Sequence, residues 1–76
     1  MNSINVFKRE FNRALKHKNS YAAIDIKRSS AEIYADSYKY VSVGDLVILF
    51  RQGVLVSTVK LSDVDKVIDF KDWRDE

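Results

Sequence analysis

Basic side chains dominate the first part of the sequence and are the residues best suited to bind an anion. Residues 1–30 carry seven Lys or Arg against two acids, Glu10 and Asp25. A basic patch on one face of a protein is the electrostatic signature of nucleic-acid binding, although a solvated helix face would have the same composition.

Aromatic residues in the middle of the chain offer a second kind of chemistry, because tyrosine rings can stack on nucleic-acid bases. Tyr34, Tyr38 and Tyr40 lie close in sequence to Arg28 and Lys39. Such tyrosines more often pack within a bent hairpin or an interface while their hydroxyls reach water, and we prefer that interpretation. Further candidate nucleic-acid contacts are Arg28, Tyr38, Lys39 and Tyr40.

The sequence predicts no metal centre, no cofactor and no catalytic centre. It contains no cysteine, and its single histidine, His17, cannot hold a zinc ion alone. Asp63, Asp65 and Asp69 lack the glycine and the terminal glutamate of a calcium-binding loop, which favours a solvated turn. Neither a glycine-rich phosphate loop nor a nucleophile paired with a base can be located. We therefore expect a binding or assembly protein and not an enzyme.

An amphipathic helix is predicted over about residues 3–18. Ser3 is a suitable N-cap, and Asn19 and Ser20 would end the helix. Its apolar residues recur at helical spacing and form a stripe that needs a sheet or a partner to cover it. This helix stripe consists of Ile4, Phe7, Phe11, Ala14 and Leu15.

Short strands are predicted for the rest of the chain. The Gln52-Gly53 pair separates two apolar runs and favours a type I′ hairpin, and residues 36–45 are turn-rich. Residues 62–70 fit either a short helix or a 3₁₀ turn at 62–65 followed by a strand at 66–70; we prefer the second because that strand would close a barrel. The other predicted strands are 21–27, 31–35, 46–50 and 54–61.

These elements predict a single domain over residues 1–76, mainly β with one N-terminal α-helix. The strands would form a small, strongly bent, five-stranded antiparallel barrel over about 20–70, followed by a charged tail at 71–76. Every residue from Leu46 to Phe50 is apolar, so both faces of this strand need a cover. We expect a homo-oligomer to supply the second cover; a monomer covered by the helix stripe is the alternative.

Three stretches resemble the Sm-like family, nearer to its bacterial Hfq branch than to the eukaryotic and archaeal branch. They are FNRALKHKNSYAAIDI at 11–26, DLVILFRQ at 45–52 and VKLSDVDKVI at 59–68. The resemblance covers about 60 residues, with an insertion around 37–43. It implies a ring of about five to seven copies, in which neighbours pair their fourth and fifth strands, and it implies binding of single-stranded RNA.

The resemblance also assigns roles to individual positions. The basic outer rim of the family corresponds to Lys16, His17 and Lys18, and Lys8 and Arg13 could extend it. Only Lys60 remains of the pore-side Tyr-Lys-His signature, and Leu46 stands where the family has a stacking aromatic.

The leading hypothesis from the sequence is therefore a cytoplasmic, homo-oligomeric ring that binds RNA through a basic rim. Two alternatives stay open: a structural or adaptor ring without nucleic-acid binding, and a monomeric SH3-like module that binds a peptide along its tyrosines. No apolar run approaches the roughly 20 residues of a membrane-spanning helix, so we expect no membrane partner.

Overall fold

Two three-stranded antiparallel sheets and one helix form the part of the chain that the computed structural model describes, residues 1–16, 20–29 and 32–71. The sheet orders are β2-β1-β6 and β3-β4-β5. The prediction of a mainly β protein with an N-terminal helix is confirmed. The elements are α1 (Ile4–Ala14), β1 (Ser20–Ile26), β2 (Glu32–Ala35), β3 (Ser37–Val41), β4 (Leu46–Arg51), β5 (Val54–Lys60), a 3₁₀ helix (Leu61–Asp63) and β6 (Val64–Lys71).

Helix α1 begins as predicted, because the Ser3 hydroxyl accepts hydrogen bonds from the backbone N–H groups of the first turn, at 3.2 and 3.4 Å. Its end is earlier than predicted. The Leu15 N–H still bonds to the Phe11 carbonyl at 3.1 Å, but the Lys16 N–H bonds to the Arg13 carbonyl at 3.3 Å, three residues back. Such tightening is typical of a final turn. Lys16 therefore lies in the turn after the helix, and residues 17–18 of the predicted helix lie outside the described residues.

The hairpin between β4 and β5 forms as predicted. Gln52 has φ 54° and Gly53 has φ 80°, the pair of positive angles that a type I′ turn requires. The side chain of Asp36 holds this turn from outside, because its Oδ2 accepts a hydrogen bond from the Gln52 N–H at 2.9 Å.

Residues 37–41, predicted as part of a turn-rich segment, are a strand, so that prediction is wrong. The turn covers only residues 42–45, and β3 pairs with β4 over its full length. Asp36 separates β2 from β3 by a single residue, and its N–H donates to the Phe50 carbonyl at 3.0 Å, which extends the β3–β4 pairing by one bond. Tyr38 and Tyr40, two residues apart, therefore lie on the same face of a strand and not in a loop.

The last part of the chain follows the preferred interpretation. A 3₁₀ helix is followed by a strand, which begins at Val64, two residues before the predicted start. Two backbone hydrogen bonds fasten this segment: the Leu61 N–H donates to the Asp45 carbonyl at 2.8 Å, and the Lys27 N–H donates to the Asp63 carbonyl at 2.9 Å. These bonds bring β6 alongside β1, with which it pairs.

The core lies between the two sheets, with α1 packed on it. The rings of Phe7 and Phe11 lie 5.6 Å apart, and the Tyr38 ring meets both edge-on at 5.0 and 4.8 Å. Such aromatic contacts join the helix to β3. The largest fully buried side chains are Phe7, Phe11, Ile24, Val47, Leu49, Leu61 and Val64.

A closed five-stranded barrel is not found in the described part of the chain. The strands number six, in two separate sheets, and β5 does not pair with β6. The sixth strand arises at Asp36. The predicted strand 31–35 forms β2, and part of the segment predicted as turn-rich forms β3, which belongs to the other sheet.

Candidate assembly and nucleic-acid interfaces

The β3-β4-β5 sheet has an inner face that packs on the core. Val47 and Leu49 are fully buried, and directly opposite them on β3 stand Tyr40 and Tyr38. Directly opposite residues in an antiparallel pair share a face. Because Phe7 and Phe11 contact Tyr38, the helix stripe covers this inner face.

The outer face of the same sheet is the second apolar face that the sequence predicted. It carries Leu46, Ile48 and Phe50, which alternate with the buried pair and are half-buried. Leu55 stands opposite Phe50 on this face and is 57% exposed. Phe7 and Phe11 of the helix stripe lie on the inner side and do not cover this outer face.

Four strands stand at sheet edges among the described residues: β2 and β6 in one sheet, and β3 and β5 in the other. Strand β5 pairs only with β4, and β6 pairs only with β1. Of the four exposed large hydrophobic side chains in the described ranges, three lie on these two strands: Val54 at 64%, Leu55 at 57% and Ile68 at 39%. The fourth, Val43, lies in the turn between β3 and β4. Unpaired edges with exposed apolar residues are templates for pairing with another chain.

The exposed face of α1 is basic but partly neutralised. Glu10 forms ion pairs with Arg9 at 3.4 Å and with Arg13 at 3.3 Å. Lys8 and Lys16 are exposed and form no ion pair with the residues that the structure describes. Of the predicted rim, Lys8, Arg13 and Lys16 are thus placed on or beside one helix, whereas His17 and Lys18 lie outside the described residues.

The three tyrosines do not form one platform. Tyr38 packs against the helix, and its burial raises the pKa of its hydroxyl. Tyr40 lies on the same inner face, and its hydroxyl donates to Asp45 Oδ1 at 2.6 Å, which raises its pKa together with a smaller effect of burial. Tyr34 stands in the other sheet opposite Ala23, and its hydroxyl donates to Glu32 at 3.1 Å, which raises its pKa. The packing interpretation is confirmed for Tyr38.

The remaining candidate cations are separated from the helix. Lys39 stands opposite Ile48 and Lys60 stands opposite Leu46, so both lie on the outer face of the β3-β4-β5 sheet and are exposed. Arg28 is exposed in the turn that follows β1. The structure therefore brings Lys39 and Lys60 together around the outer apolar face and leaves Arg28 elsewhere.

The predicted carboxylates at the end of the chain form no ligand cluster in the described part. Asp63 is half-buried and Asp65 is exposed, and no group of three or more His, Cys, Asp or Glu side chains there could hold a metal ion. The side chain of Asp69 lies outside the described residues. No described helix is long and apolar enough to span a membrane.

The edge strands β5 and β6 correspond to the fourth and fifth strands that the resemblance pairs between neighbours, whereas the apolar patterns alone did not locate them. Their exposed residues were visible as apolar runs, but which strands remain unpaired depends on the order of strands in each sheet. Comparison with protein-family models, curated proteins and solved structures gives no match. The resemblance to the Sm-like family thus stays a prediction from three stretches of sequence.

Proposed function

We propose that this protein is an Sm-like subunit that assembles into a homo-oligomeric ring and binds single-stranded RNA through the basic side of α1. In this proposal β2 and β3 act as one strand bent at Asp36, which joins the two sheets into a five-stranded barrel. The hydrogen bond from the Asp36 N–H to the Phe50 carbonyl supports that view, because it carries the sheet pairing into the bend.

The observation that carries the proposal is the location of exposed apolar residues on two of the four edge strands, β5 and β6. Pairing β5 of one copy with β6 of the next would satisfy the unpaired backbone groups of both strands and would cover Leu55 and Ile68. The two edges are different surfaces of one chain, so each copy would use one edge on each side. Such a head-to-tail contact closes into a ring when its rotation allows.

RNA binding is supported by the position of Lys8 and Lys16. Both ammonium groups are exposed, and neither forms an ion pair in the described ranges. A ring would repeat these cations at regular intervals, and binding of one subunit would raise the effective concentration of the next along the same strand. Phosphate contacts of this kind bind RNA without strong sequence preference.

A structural or adaptor ring without RNA is the second candidate, and one observation favours it. Glu10 pairs with both Arg9 and Arg13, so much of the basic charge on the helix face is already compensated. Assembly would be the same in both proposals, and only the response to nucleic acid would differ.

Assembly is tested by Ile68→Lys, with Val43→Lys as its matched control. Both residues are exposed and apolar, but Ile68 lies on β6 whereas Val43 lies in the turn between β3 and β4. We expect light scattering to give a mass of about five to seven chains for the wild type and for Val43→Lys, and a monomer for Ile68→Lys, because an added charge on the β6 edge opposes pairing. A monomeric wild type would overturn the ring.

RNA binding is tested by the double variant Lys8→Glu/Lys16→Glu, with Lys27→Glu/Arg51→Glu as a control that changes the net charge equally; Lys27 and Arg51 are exposed and lie outside β5 and β6. The probe is a labelled single-stranded RNA oligonucleotide of mixed sequence, with affinity measured by fluorescence anisotropy at several salt concentrations. We expect only the first variant to lower the slope of log affinity against log salt, by about 1.4, since each phosphate contact contributes about 0.7. Equal effects of the two variants would contradict this interface. If the wild type binds no RNA at low salt, RNA binding is excluded and the structural or adaptor ring is the remaining candidate function.

A further inference from the structure

The outer face of the β3-β4-β5 sheet combines an apolar row with cations on both sides of it. Leu46, Ile48 and Phe50 form the row along β4, and each is half-buried. Lys39 on β3 stands opposite Ile48, and Lys60 on β5 stands opposite Leu46. Both lysines are exposed and form no ion pair with the residues that the structure describes. We call the row and its two lysines the cationic sheet face.

The described part of the chain does not cover the cationic sheet face. The rings of Phe7 and Phe11 contact Tyr38, which lies on the inner side of the sheet. Pairing at the β5 edge adds a strand in the plane of the sheet, so the proposed ring would also leave the face of β4 open. An apolar surface bordered by charged side chains is typical of a site that binds a partner.

The dimensions of the cationic sheet face fit one amphipathic helix. Strands β3 and β5 lie on either side of β4, about 10 Å apart, which is close to the diameter of an α-helix. The row from Leu46 to Phe50 spans about 13 Å, the length of about nine helical residues. A helix laid along β4 would therefore set its apolar stripe on the row, with one lysine on each side.

The charge of this face decides the chemistry of the helix. Among the described residues, no acidic side chain stands on the outer face of β3, β4 or β5. Carboxylates on both sides of an apolar stripe would each meet a lysine, whereas basic flanks would be repelled. The absence of acids also disfavours a second copy of this face as the occupant, because two such faces would oppose lysine to lysine.

The flat shape of the row favours a protein partner over a lipid surface or RNA. Its side chains are half-buried between the neighbouring strands, whereas binding to the headgroup region of a bilayer requires apolar residues that insert by about 5–10 Å. Stacking of bases requires aromatic rings, and Phe50 is the only aromatic residue of the row. An amphipathic helix supplies its own projecting side chains, which an apolar row can accept.

We propose that the cationic sheet face binds an amphipathic helix of a partner protein, one whose apolar stripe is bordered by Asp or Glu on both sides. Leu46, Ile48 and Phe50 bury the stripe, and Lys39 and Lys60 pair with the carboxylates. This inference goes beyond the ring and RNA binding and depends on neither, because β3, β4 and β5 belong to one chain.

The test uses three fluorescently labelled peptides of about 18 residues, long enough to form a helix. The acidic peptide has a leucine stripe at helical spacing with glutamates on both sides. The basic peptide has lysine in place of each glutamate, and the scrambled peptide has the acidic composition without the stripe. We expect fluorescence anisotropy to show that the wild type binds the acidic peptide at least tenfold more tightly than the other two, about 1.4 kcal/mol. Equal affinity for the acidic peptide and either control, or binding of none, would overturn the proposal.

Three variants assign the binding to this face. Lys39→Glu/Lys60→Glu should bind the acidic peptide about tenfold more weakly and should prefer the basic peptide, which also shows that the variant is folded. Lys27→Glu/Arg28→Glu, an equal change of charge in the turn after β1, should keep the preference of the wild type. Ile48→Thr, which keeps a β-branched residue in the strand, should weaken binding about tenfold. A reversed preference in the control variant would show an effect of net charge alone and would overturn the proposal.

The other possible occupants are tested with the same two charge variants. Their probes are phosphatidylcholine vesicles that contain phosphatidylserine, and a single-stranded RNA of mixed sequence. We expect Lys39→Glu/Lys60→Glu to affect binding to these probes no more than Lys27→Glu/Arg28→Glu does. A selective loss of vesicle or RNA binding in the first variant, in a protein that ignores the acidic peptide, would show that the face binds phosphate groups and would contradict a helix partner.

Discussion

Tyr40 donates its hydroxyl hydrogen to Asp45 Oδ1 at 2.6 Å, across the turn that joins β3 to β4. Asp45 has φ 56°, a left-handed conformation that non-glycine residues rarely adopt and that Asp and Asn tolerate best. Its carbonyl also accepts the Leu61 N–H at 2.8 Å. One aspartate therefore ties together the β3–β4 turn, the end of β5 and the 3₁₀ helix.

Substitution of Tyr40 by Phe should destabilise the protein in a pH-dependent way. The bond to Asp45 raises the pKa of Tyr40, so the folded chain holds this proton more tightly than the unfolded chain, in which tyrosine titrates near pH 10. The stabilisation is fully present below about pH 10 and is lost as the pH rises through the higher pKa of the folded state. We expect a lower urea midpoint for Tyr40→Phe at pH 7 and a smaller difference from the wild type above about pH 10. A difference that grows with pH would contradict this assignment.

Truncation of Phe11 should remove most of the stability. Its ring is buried and contacts both Phe7 and Tyr38, so Phe11→Ala leaves a cavity between helix and sheet. Such changes cost about 3–5 kcal/mol of unfolding free energy, and small domains have only about 5–15 kcal/mol in total. Urea denaturation followed by circular dichroism measures the loss. Lys8→Ala, on the exposed face of the same helix, should stay within about 0.5 kcal/mol of the wild type.

Replacement of Gly53 by Ala should cost about 1–2 kcal/mol through backbone strain alone. Gly53 has φ 80°, and no heavy atom lies within 4 Å of the position that a Cβ would take. A side chain is therefore disfavoured by the left-handed conformation and not by a clash. Gln52→Asn, which produces the Asn-Gly pair favoured in type I′ turns, should be neutral or slightly stabilising. Equal stability of Gly53→Ala and the wild type would show that the turn changes its conformation.

Removal of the Asp36 carboxylate should also destabilise the β4–β5 hairpin, because this side chain is bonded to the hairpin turn. Its Oδ2 accepts the Gln52 N–H at 2.9 Å, which fixes the turn against the bend between β2 and β3. We expect Asp36→Ala to lower the unfolding free energy by about 0.5–1.5 kcal/mol, and Asp36→Asn to lower it less because the amide oxygen can still accept. Faster hydrogen exchange at the Gln52 amide in Asp36→Ala would locate the effect, and unchanged exchange there would refute it.

Local patterns in the sequence were sufficient to predict most of the secondary-structure elements. The Ser3 cap, the helix stripe, the β4–β5 hairpin and the 3₁₀ turn before the last strand depend on contacts between residues close in sequence. Such contacts leave a periodicity or a turn dipeptide that can be recognised. Residues 37–41 were missed because Ser, Lys and Tyr at those positions form no apolar alternation, and the strand is stabilised by pairing with β4.

The sequence by itself determined that the protein is mainly β with one amphipathic helix, that its first 30 residues are basic, and that Leu46–Phe50 needs a cover on both faces. Only the tertiary structure decided which face the helix covers, that Tyr34 and Tyr38 belong to different sheets, and that β5 and β6 stand at sheet edges. These outcomes depend on pairings between distant residues, such as Val47 with Tyr40 and Ile24 with Val67. A single strand shows its alternation of side chains, but the neighbours that cover each face are chosen only when the whole chain has folded.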